Sequence, residues 1–130
     1  MSTLRVIGLW LGPDAPGWPN VLDFVNTDAG GREALAARLE AAPRTDRLYM
    51  GYSTCRICGC RNGNGEYTNG VYIWPEGLAH YVRAHSVVLP FGVEEALLTV
   101  VPGSQDLEWA MSADSDCRDY EWWRSLTLQE

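Results

Sequence analysis

Two cysteines separated by two residues, Cys55 and Cys58, are followed after twenty-one residues by the chain's only histidines, His80 and His85. Both spacings fall within those that place four ligands around one tetrahedral zinc ion. A Cys-x2-Cys turn can aim two sulfurs at one centre while its own N–H groups donate to the thiolates. Two histidines five positions apart on an ideal helix are splayed by about 140°, and that splay closes if the last turn loosens. The sequence provides for loosening, because Ser86-Val87-Val88 and then Pro90 end the helix with β-branched residues and a proline. The competing assignment is a buried cysteine pair with two surface histidines; it leaves unexplained why both histidines fall on the one helix that follows the turn.

Four protein ligands fill a tetrahedron, so Zn2+ held by Cys55, Cys58, His80 and His85 is expected to be structural. A catalytic ion needs an open position, which the departure of His85 would create, with Glu76 as the candidate base. Cys60 stands two residues past Cys58 and is a spare candidate ligand, and Cys117 lies far along the chain. Both are otherwise read as reduced thiols, although a disulfide between them is compatible with the sequence.

The remaining segments predict an α+β fold in one small domain spanning residues 1–130, with the zinc unit over about 47–90. Leu4 to Leu11 reads as a buried strand stopped by Gly12-Pro13. Arg32 to Ala42 reads as a helix ending before Pro43, with Thr27 and Asp28 as N-cap candidates. Its stripe of Leu35, Leu39 and Ala42 is expected to lie on the preceding strand. Arg47 to Ser53 reads as a strand. Three Asn-Gly pairs between Arg61 and Gly70 favour turns, and Val71 to Trp74 is the returning strand. Pro75 suits the first turn of a helix running to about His85, with Glu76 at the favourable end of its dipole. Phe91 to Val101 reads as a further helix, though its Thr-Val-Val end fits a strand equally well. Ser112 to Leu126 reads as an acidic amphipathic helix with Tyr120, Trp123 and Leu126 on one side.

Charge narrows the function. The net charge is -7 at pH 7, which argues against general binding of polyanions. Residues 106–130 hold seven carboxylates against Arg118 and Arg124, whereas residues 47–90 are slightly basic through Arg47, Arg56, Arg61 and Arg83. All ten basic residues are arginine, a usage that hints at a GC-rich bacterial source. No run approaches the roughly 18 to 20 apolar residues of a membrane span, and the N-terminus is a poor signal peptide, so a cytoplasmic protein is expected.

The segment STCRICG from Ser53 to Gly59, with NGVYIWPEGLAHYVRAHSVVLP from Asn69 to Pro90, resembles small uncharacterised bacterial proteins carrying a CRICG turn and a WPEGLAHYV helix. The resemblance covers about a third of the chain and implies that the four ligands act as a unit; it transfers no activity. In its order of turn, hairpin and helix the segment is also similar to Cys2His2 zinc fingers. It departs from them in its longer linker, its lack of tandem repeats and a helix that carries Arg83 as its one arginine.

Three roles follow. The first is a protein-binding or regulatory module that contacts its partner through Trp122 and Trp123, because adjacent helical residues cannot both face one core. The second is a zinc-dependent enzyme of small-molecule metabolism. The third is a single-stranded nucleic-acid binder, in which Tyr49, Tyr52, Tyr67, Tyr72, Trp74 and Tyr81 stack on bases beside four arginines on one face.

Overall fold

Leu4 and Val6 alternate with Arg5 along β1 (Leu4–Val6), burying the apolar pair and exposing the arginine. The computed structural model describes residues 4–12, 16–45, 54–90, 92–99 and 118–128. In it β1 is an inner strand, with β3 (Tyr72–Pro75) parallel to it on one side and β4 (Arg118–Asp119) parallel on the other. β2 (Glu66–Thr68) pairs antiparallel with β3, so the order is β2-β3-β1-β4. Helices α1 (Arg32–Ala41), α2 (Leu78–His85), α3 (Val93–Thr99) and α4 (Glu121–Arg124) complete an α+β domain. The expected strand from Arg47 to Ser53 lies outside the described residues.

The hairpin between β2 and β3 corrects the sequence reading in detail. Glu66 to Thr68 is a strand, although it lies within the stretch read as turns, and the returning strand is Tyr72–Pro75. Asn69 makes the turn with its side chain, its Oδ1 accepting from the N–H groups of Val71 and Tyr72 at 2.9 and 2.8 Å. Gly70 follows at φ 89°, the left-handed conformation that an Asn-Gly pair supplies. Pro75 therefore ends a strand, and α2 starts three residues later.

α1 starts where expected but is capped differently. Thr27 and Asp28 lie in a turn upstream, too far away to reach the first helical N–H groups, and a left-handed Gly31 precedes Arg32. Leu35, Leu39 and Ala42 are buried together with Ala36, but α1 packs chiefly on α2 and α3 and not chiefly on β1. Leu78 and Val82 of α2 already share the core with Tyr72 and Trp74 of β3, so α1 stacks on the helices. Leu4, Val6 and Ile73 form a second, smaller cluster with Tyr120 packed against it.

α3 falls within the expected helix; Phe91, Val100 and Val101 lie outside the described residues. Its Glu94 binds both outer nitrogens of Arg32 at 2.7 Å and accepts the Leu89 N–H at 2.8 Å. Burial alone would raise the Glu94 carboxyl. The Arg32 hydrogen bonds, the Leu89 N–H and the Arg32 charge outweigh that and hold it below its ordinary value of 4.5. A depressed folded value means that the stabilisation is complete above the unfolded pKa and is lost as acid takes the group through its folded one. Glu94→Gln should therefore destabilise the protein by about 1 kcal/mol at neutral pH, after solvent screening of a half-buried pair. In urea melts at a series of pH values, the gap to the unmodified protein should narrow as the pH falls below the ordinary carboxylate value of 4.5 and through the lower folded one.

The C-terminal segment differs most from expectation. Residues 112–117 lie outside the described residues, and Arg118 and Asp119 form a strand where the sequence predicts the middle of a long helix. Pairing with the edge of β1 claims these residues. Asp119 Oδ1 then accepts from the N–H groups of Glu121 and Trp122, and the four-residue α4 passes into a 3-10 turn, Ser125–Leu128. The two tryptophans do point differently. Trp123 is fully buried, its indole donating to Leu9 O at 2.6 Å and its ring lying 5.2 Å from Trp10. Trp122 is half-buried beneath the Arg5 guanidinium, 4.7 Å from its ring centroid. Trp123 thus belongs to the core and offers no surface to a partner. No helix among the described residues is long and apolar enough to cross a membrane.

Candidate metal centre

The Cys turn is closed at its base by backbone pairing. Cys55 N–H donates to Cys60 O and Gly59 N–H to Cys55 O, both at 2.9 Å, and Thr54 bridges to Arg61. Gly59 takes φ 77°, which lets the chain reverse behind Cys58. Within this loop the N–H groups of Ile57 and Cys58 both point at Cys55 Sγ, 3.4 Å away. Such donors fix the direction of the sulfur.

α2 supplies the other side. Tyr81 and Val82 are buried, and the Tyr81 hydroxyl accepts the Arg56 N–H at 2.7 Å, which ties the helix to the turn. Burial, opposed by that N–H, pushes the Tyr81 phenol up to about 12. The helix end loosens as the sequence suggests. Ser86 adopts the left-handed conformation at φ 55°, and both its N–H and that of Val87 reach back to Tyr81 O. The His80 and His85 rings then lie 5.0 Å apart, nearly perpendicular.

The result is that one ligand atom from each of Cys55, Cys58, His80 and His85 lies within 4.8 Å of the other three, a group that could hold a metal ion. Zn–S and Zn–N bonds of about 2.3 and 2.0 Å put tetrahedral donors roughly 3.3 to 3.8 Å apart. The Cys58 Sγ to His80 Nε2 distance of 3.5 Å is of that size. His85 Nε2 is buried with no hydrogen-bond partner among the described residues. A buried imidazole nitrogen without a partner is costly, and a metal ion would satisfy it.

Cys58 is the exposed member of the group. The backbone N–H of Cys60, followed by His85, the Cys60 thiol and His80, draws its thiol down to about 5. Cys60 lies 3.3 Å from His80 Nε2 but outside the mutually close set, and its thiol is pushed up by its contact with Cys58, by desolvation and by the neighbouring sulfur charges. Cys55, Cys58 and Cys60 all carry free thiols, and Cys117 lies outside the described residues.

Glu76 is not at the helix start. Its Oε1 accepts from the N–H groups of Asn64 and Gly65 at 3.2 and 3.0 Å and lies 3.4 Å from Arg44, so the carboxylate organises the Asn-Gly loop. Arg83 is clamped by Glu33 and Glu40 of α1, with four contacts between 2.7 and 2.9 Å. Those hydrogen bonds hold both carboxyls below their ordinary range. Arg83 is therefore neutralised and is missing from the basic face on which the nucleic-acid reading depends; Arg47, Tyr49 and Tyr52 lie outside the described residues. Comparison of the chain with protein-family models, with curated proteins and with solved structures gives no match, so the chemistry of this centre rests on its own donor set.

Proposed function

We propose that the chain is a zinc protein in which Cys55, Cys58, His80 and His85 hold one structural ion, and that the stabilised fold works as a binding or regulatory module. The observation that carries the proposal is the gathering of four donor atoms, one each from Cys55, Cys58, His80 and His85, within 4.8 Å of one another. Two thiolates with two imidazoles in a tetrahedral arrangement suit zinc, whereas hard oxygen-seeking cations do not choose sulfur. The ion would pin the Cys turn to the end of α2, two elements otherwise joined by the Arg56 to Tyr81 hydrogen bond, by the contacts of Cys58 and Cys60 with His80, and by packing.

A catalytic ion is the weaker reading, because four ligands close the tetrahedron and Glu76 is engaged by Asn64, Gly65 and Arg44. Protein is the favoured partner class over nucleic acid, given a net charge of -7 and the loss of Arg83 to ion pairs. Free thiols suit the reducing cytoplasm of a bacterial cell, and the proposed likeness to bacterial proteins with CRICG and WPEGLAHYV segments is in keeping with that. X-ray absorption at the zinc edge tests the arrangement. Two sulfurs and two nitrogens are expected; three protein ligands with an oxygen would move the ion toward catalysis.

A further inference from the structure

A cavity of about 160 Å³ opens beside the metal turn, where the end of β1, the β3–α2 link and the Cys loop converge. Trp10, Trp18, Pro75 and Leu78 give it apolar walls, and Arg56 and Asn62 are its principal polar side chains. An apolar cavity of about 150 Å³ is large enough for a benzene ring. Two glycines set the polar groups in place. A Cβ on Gly12 would stand 2.5 Å from Arg56 Cζ, and one on Gly77 would stand 2.5 Å from the Asn62 amide, so both side chains lie directly on backbone.

Arg56 differs from the other arginines around it. Arg32, Arg44 and Arg83 are paired with Glu94, Glu76 and Glu33 with Glu40, whereas the Arg56 guanidinium has no carboxylate partner among the described residues. Asn62 is 8% exposed. The indole N–H of Trp10 is buried without an acceptor among the described residues, and a ligand oxygen can supply one. A planar guanidinium at the edge of an apolar, ring-sized space recognises a planar anion attached to an apolar body.

We infer that this cavity binds a small carboxylate with an aromatic or compact apolar body, its ring between Trp10, Trp18 and Leu78 and its carboxylate on Arg56. The site shares its turn with the metal centre, so binding is measured on zinc-loaded protein of known metal content and again on the protein as purified. Failure of zinc loading and failure of carboxylate binding are then separate results.

The probe is benzoate, with benzyl alcohol as its neutral counterpart and inorganic phosphate as the anion without a body. Calorimetry is combined with amide chemical shifts at Gly8, Gly63 and Gly77, which line the cavity. Benzoate should bind with shifts confined to these walls. Benzyl alcohol should bind at least about tenfold more weakly, the loss of one charge-assisted hydrogen-bonded pair. Arg56→Gln should weaken benzoate about tenfold, with Arg56→Lys intermediate, while Arg38→Gln, the same charge change outside the cavity, should have no effect. No benzoate binding, equal binding of benzyl alcohol, equal binding of phosphate, or indifference to both Arg56 substitutions would each overturn the assignment. Amide spectra of the variants confirm that the fold is retained.

Discussion

Glu66→Ala is expected to remove about 3 to 5 kcal/mol of stability, because it strands a buried arginine without its counter-charge. Glu66 on β2 and Arg118 on β4 are 1% and 3% exposed at their side chains, and their bidentate pair spans 2.7 and 3.0 Å. Thr45 donates a further hydrogen bond to Glu66 Oε1 at 2.7 Å. The pair joins the two outer strands of the sheet, so its loss removes that tie as well as leaving a buried charge unpaired. Desolvation offsets much of the attraction within an intact buried pair. Replacing both residues, as in Glu66→Leu with Arg118→Met, should therefore destabilise by much less than the sum of the single changes. Urea unfolding of the two single variants and the double variant decides this. Additive losses would mean that the two groups contribute independently.

Much of this architecture can be read from the sequence wherever short-range chemistry decides it. The Cys turn, the Asn69-Gly70 reversal and the end of α2 near His85 each depend on a few adjacent residues, and each lies where the spacing puts it. Errors arise where distant partners decide. Nothing near Arg118 announces a strand, because what makes it one is the edge of β1, more than a hundred residues earlier. Trp123 reads as one of two candidates for a contact surface; Leu9 and Trp10 make it core. Glu76 has the right position to begin a helix, and the N–H groups of Asn64 and Gly65 take it for the loop instead. The cavity leaves no periodic trace in the sequence, since its walls come from four separate segments. Its one legible signal is the set of glycines on which Arg56 and Asn62 rest, and only the structure pairs them.

The second large effect concerns the metal. If the four donors hold zinc, Cys55→Ser should lose the ion and lower stability by about 4 kcal/mol when free zinc stands a thousandfold above its dissociation constant. Cys55 is the ligand for which substitution should matter most, being 3% exposed and receiving two backbone N–H groups that a serine hydroxyl cannot use as a thiolate does. The chain has an apolar core of its own around Trp10, Tyr81 and Trp123, so metal loss should loosen the Cys turn and the end of α2 before the sheet unfolds. Elemental analysis of protein purified without chelator, read alongside thermal unfolding, is the most direct measurement. One zinc per chain, absent from Cys55→Ser and Cys58→Ser and accompanied by a fall in melting temperature, is the predicted result. Folded protein without zinc, whose unfolding does not change when zinc is added, would contradict it.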